Sequence, residues 1–187
     1  VAAGSVLCFF LDGSGGCSSA VAAVWVCMSG QFSFSVQGCM RACCGGGGLT
    51  AGIALALEAR APHLFVRPCE PAGFDDTARS LVSGKRERNA ATTGSICDAI
   101  VTPSPGEITF PILQRLCGPG LVVSEEQVMQ AMALAFAHLR IVVEPGGAVA
   151  LAAALFAPGL PDTVICTASG GNVDAALFTD ILTRFGA

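Results

Sequence analysis

Residues 43–52 read CCGGGGLTAG: four consecutive glycines hinged onto the start of an apolar helical pattern. Four glycines in a row cost a chain backbone entropy, so the bare backbone should serve a close approach. Glycines at a helix start let several backbone N–H groups converge on one anion, helped by the helix dipole. A P-loop is excluded, because no Lys-Ser/Thr follows. Gly46, Gly48 and Ala51 fit G-x-G-x-x-A loosely, which leaves a dinucleotide loop open. A purely structural tight turn is the plain alternative.

Outward from this loop, the chain alternates strands and helices. Leu49 to Arg60 is an Ala- and Leu-rich helix ending on a basic residue, as the dipole prefers. HLFVRP is a short strand, CEPAGFDD a loop and TARSLV a short helix. LVV precedes a helix opened by a Ser124–Gln127 capping box, with Val128, Met132, Ala135 and Leu139 on one apolar face. RIVVEPGG is an extended piece and turn before another apolar helix, and TVICTASGGNVD is a buried strand with a glycine turn before the last one. The fold class expected is α/β: three αβα layers around a mostly parallel sheet, incomplete as a domain. Ligands of such sheets bind at the carboxyl ends of the strands, where both glycine turns would lie.

Composition narrows the function classes. Of 187 residues, 52% are hydrophobic and 13% charged, which suits one buried core. The net charge of −4 and the lack of a basic run exclude a nucleic-acid footprint. The longest early apolar run, AVAAVWVCM (20–28), is too short to span a bilayer and reads as a buried strand feeding the glycine loop. No basic leader marks a secretory signal, so a cytoplasmic location without membrane contact is expected. Residues 1–42 differ in kind: Gly-, Ser- and Cys-rich, with Asp12 and Arg41 their only charges. They read as an atypical segment, poorly ordered or translated from a non-native frame, with the recognisable domain covering 43–187.

Of ten cysteines, Cys8, Cys17, Cys27, Cys39, Cys43 and Cys44 crowd this early region. Cys69, Cys97, Cys117 and Cys166 read as small buried hydrophobes. No CxxC occurs, and His63 and His138 are the only histidines, so zinc is disfavoured. The vicinal Cys43–Cys44 pair leaves a minor redox or metal reading open. Lys85, the only lysine, stands in SGKRERN, a solvated loop.

Two further stretches carry chemistry. Glu70, Asp75 and Asp76 put three carboxylates in one turn, as hard cations require; the alternative is loop acids with Asp75 or Asp76 capping a helix. In ASGGNVD, Ser169 would present its hydroxyl at a strand's carboxyl end, unless Ser169 or Asn172 is simply an N-cap.

Taken in order, CGGGGLTAGIALALEA, EPAGFDDTARSLVSG, SICDAIVTPSPGEITFPIL, LVVSEEQV, VVEPGGAVALAAAL and ICTASGGNVD resemble the C-terminal part of the threonine/serine dehydratases. These are fold type II pyridoxal phosphate enzymes, a family that includes serine racemase. The resemblance runs from Cys43 to the end of the chain. It implies pyridoxal 5′-phosphate as cofactor, with Gly45, Gly46, Gly47, Gly48 and Leu49 holding its phosphate. Ser169 would meet the pyridine nitrogen, and a hydroxyl there suits β-elimination. Gly106 would bring backbone against the cofactor, and Glu144 would lie near its ring. Glu70, the Phe74 carbonyl and Asp76 would hold Mg2+ or another divalent cation.

The same resemblance shows what these residues lack. The family's Schiff-base lysine lies in a Ser-Phe-Lys-type motif, and its Asn-bearing loop in a Ser-x-Gly-Asn-His-type motif; neither occurs here. GQFSFSVQG (30–38) echoes Ser-Phe without a lysine. The implied reaction converts L-threonine or L-serine to a 2-oxo acid and ammonia, with a racemase or 3-hydroxyaspartate dehydratase as near alternatives. The expectation for the chain as written is no catalysis. An amino-acid substrate is implied for the parent enzyme, a homodimer is allowed, and no carboxy-terminal regulatory domain is expected. Two readings of other classes stand beside it: a NAD-type oxidoreductase with Glu70 holding a ribose, and a non-catalytic phosphate- or cation-binding module.

Overall fold

The computed structural model describes residues 6–12, 21–26, 38–158 and 163–186. One sheet of six strands organises them, in the order β2-β1-β6-β3-β4-β5. The strands are β1 (Val6–Asp12), β2 (Val21–Val26), β3 (Gly38–Cys43), β4 (Leu64–Pro71), β5 (Leu121–Val123) and β6 (Thr163–Ala168). β6, β3, β4 and β5 run parallel, and β1 joins antiparallel to both β6 and β2. The mostly parallel sheet expected from the strand–helix alternation is therefore present, with an antiparallel extension at one edge.

The helices are α1 (Gly48–Arg60), α2 (Asp76–Ser83), α3 (Thr109–Leu116), α4 (Glu125–Leu134), α5 (Pro145–Phe156) and α6 (Ala175–Phe185). They cover both faces of the sheet. Cys43, Cys69, Val164, Cys166 and Ala168 pack on the α4–α5–α6 side. Met40, Ala42, Val66 and Ile165 pack on the α1 side with Ala54 and Leu57. Neighbours such as Ala42 and Cys43, or Ile165 and Cys166, point to opposite layers, as the two-residue pleat requires.

α5 is the central element. Its residues from Pro145 to Ala154 are all buried, a helix apolar on every side with no room for long side chains. α4 carries the expected capping box: Ser124 Oγ accepts from the Gln127 amide at 3.2 Å, and Gln127 Oε1 accepts from the Ser124 amide at 2.9 Å. Val128, Met132 and Ala135 are buried and Leu139 partly so, the last two in a π-helical turn over Ala135–Leu139. Among the described residues no helix is long and apolar enough to cross a membrane.

Two sequence expectations shift. The strand feeding the glycine loop is Gly38–Cys43, not the 20–28 run, whose Val21–Val26 lies at the sheet's outer edge. β3 is a central strand, so the sheet draws on residues before the boundary expected at Cys43. The extended piece over 140–144 pairs with no strand among the described residues and leads directly into α5. The order of the remaining early residues lies outside the described set.

β3 also carries an anomaly. Arg41 is fully buried facing α5, its Nη1 donating to the Ala153 carbonyl, while Nε and Nη2 have no hydrogen-bond partner among the described residues.

Candidate active site

Because β3, β4 and β6 are parallel neighbours, their carboxyl ends open on one edge of the sheet. β3 leads to Gly45–Gly48, β4 to the Glu70–Asp76 loop and β6 to Ser169–Asn172. Topology thus gathers the three stretches that the sequence holds far apart.

The glycine loop begins where the Cys44 amide donates to the Cys69 carbonyl at 2.9 Å. Gly47 takes a φ of +88° and stands at the N-cap of α1, which has no side-chain cap. The loop is gripped from behind: the Gly46 carbonyl accepts from the Gly106 amide at 3.0 Å and from Thr109 Oγ1 at 2.6 Å. A Cβ on Gly45 would stand 2.9 Å from the Ile100 carbonyl oxygen, and one on Gly47 2.8 Å from Leu113 Cδ1. Those two glycines are bare because the protein itself fills the space. A Cβ on Gly48 would meet nothing within 4 Å. Among the described residues no acceptor meets the amides of Gly45, Gly46, Gly47, Gly48 or Leu49, which leaves five donors in consecutive residues at the positive end of a 13-residue helix. That arrangement suits a phosphate group.

Ser169 follows β6, beside this loop. Its amide donates to the Gly147 carbonyl at 3.3 Å, and its hydroxyl reaches the buried Cys43 thiol. Neither Ser169 nor Asn172 caps the next helix. Asp174 does, its Oδ1 accepting from Ala176 and Leu177 at 2.9 and 3.0 Å. The half-buried Ser169 hydroxyl is therefore not committed to the fold's capping. Glu144, at the N-cap of α5, faces the same turn: its Oε2 accepts from the Asn172 amide at 3.0 Å, and its amide donates to the Gly170 carbonyl at 3.2 Å. Gly170, at φ +79°, has room for no side chain, since a Cβ would overlap the Glu144 carboxylate.

The vicinal cysteines do not act as a pair. Cys43 Sγ lies on the α5 side, 3.3 Å from the Gly147 carbonyl and the Ala150 amide, and burial pushes its thiol up. Cys44 packs on the other side, 3.6 Å from Thr77 Oγ1, its thiol pushed up to about 12 chiefly by burial and further by Glu70. Protonated thiols on opposite faces of a strand form neither a metal site nor a dithiol.

The third stretch is built around Glu70. Its carboxylate accepts from the Thr77 and Ala78 amides at 2.9 and 2.7 Å, so it caps α2 in place of Asp75 or Asp76. Glu70 has no exposure to solvent, so a group as large as a dinucleotide ribose does not reach it, whereas a carboxylate's roughly four lone-pair sites leave acceptor capacity for a small ion beside the two amides. Burial pushes its carboxyl up to about 8, opposed by those two amides and reinforced by Asp76. Asp76 is also pushed up, chiefly by burial. Its Oδ1 accepts from Asn89 Nδ2 at 2.5 Å, and its Oδ2 is buried with no hydrogen-bond partner among the described residues. The Phe74 amide donates to the Pro71 carbonyl at 3.0 Å, and no donor among the described residues meets the Phe74 carbonyl. An orphaned buried carboxylate oxygen beside a second desolvated carboxylate fits a hard cation. No group of three or more His, Cys, Asp or Glu gathers around one point among the described residues, so water and the carbonyl would have to complete such a site.

Lys85 is exposed, its Nζ 4.0 Å from Glu87 Oε1, in the solvated position expected. Other residues of the site carried no signal in the sequence. Thr109 grips Gly46, and Arg86 holds the Gly106 segment through the Pro105 carbonyl at 2.7 Å and Glu107 Oε1 at 3.1 Å. Asn89 and Arg86 both come from the run read as a solvated loop. Only their long-range partners distinguish them from surface residues.

Residues 15–170 match the family described as "Pyridoxal-phosphate dependent enzyme", a match that begins well before Cys43. The serine racemase of Dictyostelium discoideum is 35% identical over 143 residues, covering 74% of this chain and 44% of that protein. The L-threonine ammonia-lyase of Geobacter sulfurreducens is 34% identical, over 75% of this chain and 35% of that one. Among solved structures, a threonine deaminase from T.th. superposes with a TM-score of 0.69 at 42% identity, covering 74% of this chain and 49% of its own. The chain spans less than half the length of the curated relatives it matches. With the glycine loop, Ser169 and Glu144 brought to one edge of a parallel sheet, the chain belongs to the fold type II family of pyridoxal-phosphate-dependent enzymes.

Proposed function

We propose that this chain is the cofactor- and cation-binding portion of a threonine/serine dehydratase, and that by itself it binds without catalysing. The observation that carries the reading is the set of five amides at Gly45–Leu49 with no acceptor among the described residues, beside the Ser169 hydroxyl just after the neighbouring parallel strand. The amides would hold the phosphate of pyridoxal 5′-phosphate. Ser169 would hydrogen-bond the pyridine nitrogen as a neutral partner, and Glu144 would lie beside the ring. Gly106 keeps the glycine loop in place from behind. Glu70, the Phe74 carbonyl and Asp76 would take Mg2+, whose charge relieves two carboxylates that burial otherwise drives toward the neutral form.

When bound, the cofactor supplies an electron sink for bond breaking at the α-carbon of an amino acid. The reaction also needs a lysine to carry the cofactor and move the α-proton. Lys85, the only lysine of these 187 residues, is exposed and follows α2 on the surface. Loss of such a group costs orders of magnitude in rate. The β-elimination of L-threonine or L-serine is thus assigned to a longer parent enzyme. The serine racemases among the relatives make racemisation the second reading of the parent's reaction.

Thermal melting with pyridoxal 5′-phosphate, inorganic phosphate, NAD or magnesium tests the assignment. The phosphate compounds and magnesium should raise the melting temperature, NAD should not, and L-threonine should yield no 2-oxo acid. Stabilisation by NAD alone would overturn the cofactor reading. Release of 2-oxo acid would overturn the binding-only reading.

A further inference from the structure

Asn89 lies between the two candidate ligand sites, and its side chain is bonded in three directions. Nδ2 donates to Asp76 Oδ1 at 2.5 Å and to the Thr102 carbonyl at 2.8 Å, and Oδ1 accepts from Arg79 Nη2 at 2.6 Å. The Asn89 amide also donates to the Pro103 carbonyl at 2.9 Å. One side chain therefore ties a carboxylate of the cation loop to the start of the segment 102–109.

The other end of that segment holds the glycine loop. Gly106 and Thr109 bind the Gly46 carbonyl, and a Cβ on Gly46 would stand 3.9 Å from Thr102 Cγ2. Two buried polar atoms along this path lack partners among the described residues: Asp76 Oδ2 at the cation loop and Thr102 Oγ1 at the start of the segment. Asp76 is thus fastened through one oxygen to the path while its other oxygen is left for a ligand. A cation drawing on Oδ2 would fix the rotation of the carboxylate, and Oδ1 would fix Asn89 with it.

We propose that Asn89 is a positioning residue that couples cation binding at Glu70–Asp76 to anion binding at Gly45–Leu49, so that each ligand tightens the other. This rests on the reading of those two stretches as a cation site and a phosphate site. Asn89 touches neither ligand. It acts by fixing the segment that fixes Gly46, and the coupling is reciprocal by linkage.

The test titrates the full 187-residue chain with inorganic phosphate in the presence and absence of magnesium, and with magnesium in the presence and absence of phosphate, by calorimetry. The wild type should show each ligand tightening the other by the same factor, on the order of 5- to 100-fold. In Asn89→Ala, checked for its fold by circular dichroism, both ligands should still bind while the factor falls toward one. Pairing of magnesium with phosphate in solution is common to both proteins and drops out of the comparison. Independent binding in the wild type overturns the coupling whatever the variant does. Undiminished coupling in Asn89→Ala overturns the role of Asn89. Failure of either ligand to bind overturns the site reading itself and the coupling with it.

Discussion

A Cβ placed on Gly147 would overlap the carbonyl oxygen of Ser169. α5 and the turn after β6 are there in backbone contact, which sets the height of Ser169 above the sheet. Since the atom met is backbone, no side chain can swing aside. Gly147→Ala should therefore destabilise the chain by about 1–3 kcal/mol or more, measured by urea unfolding. It should also weaken pyridoxal phosphate more than inorganic phosphate, because the turn that shifts bears Ser169, the proposed partner of the ring, and not the amides proposed for the phosphate. An unchanged unfolding midpoint would contradict this contact.

The glycine tetrad divides by cause. Gly45→Ala meets the Ile100 carbonyl at 2.9 Å and should lower the melting temperature. Gly48→Ala meets nothing within 4 Å and lies in the first turn of α1, where alanine is favoured by up to ~1 kcal/mol. Its melting temperature should hold or rise while phosphate affinity falls, since on the proposed reading that space is the ligand's. Full retention of phosphate binding in Gly48→Ala would remove the ligand-based reason for that glycine.

Arg41 should be a liability to the fold. A buried guanidinium with Nε and Nη2 unsatisfied among the described residues carries a desolvation cost that one carbonyl does not offset. Arg41→Met, which keeps most of the volume, is expected to stabilise the chain by about 1–4 kcal/mol in urea unfolding. A lower midpoint would mean that Arg41 has a partner beyond the described residues.

Buried thiols should be inert in the native chain. Burial pushes Cys44 and Cys97 up to about 12 and Cys117 up to about 11. Against an ordinary value of 9.0, a thiol near 12 has about a thousandfold less thiolate at pH 8. Iodoacetamide should label these three slowly in buffer and rapidly in urea, read by mass spectrometry. The folded chain keeps these protons where the unfolded chain releases them. Their stabilisation is therefore complete below pH about 9 and is lost as the pH rises toward 12. Rapid native labelling of Cys44 or Cys97 at pH 8 would contradict their burial.

Much of the candidate site's local structure was legible because its signals are local. Glycines before an apolar helix, the Ser124–Gln127 box and the Ser-Gly-Gly-Asn turn after a strand each lie within a few consecutive residues. Other features depended on distance. Glu70 caps a helix that starts six residues later, which left Asp75 and Asp76 as the nearer candidates. Asp174 caps α6, not Ser169 or Asn172, the two residues that the sequence offered for that place. The break at Cys43 followed composition, whereas β3 is set by pairing with β4 and β6.

The sequence by itself determined the alternation of strands and helices, the bare backbone of Gly45–Gly48 and the donor and acceptor groups proposed to meet a cofactor and a cation. These follow from periodicity, conformational freedom and donor chemistry, which single residues and their near neighbours express. Only the tertiary structure decided that Gly45 and Gly47 are bare for packing while a Cβ on Gly48 would meet open space. Only the structure placed Asn89 between Asp76 and Thr102. Parallel pairing of β6, β3 and β4 puts their carboxyl ends on one edge, and a contact between residues far apart in the chain exists only once that pairing has formed.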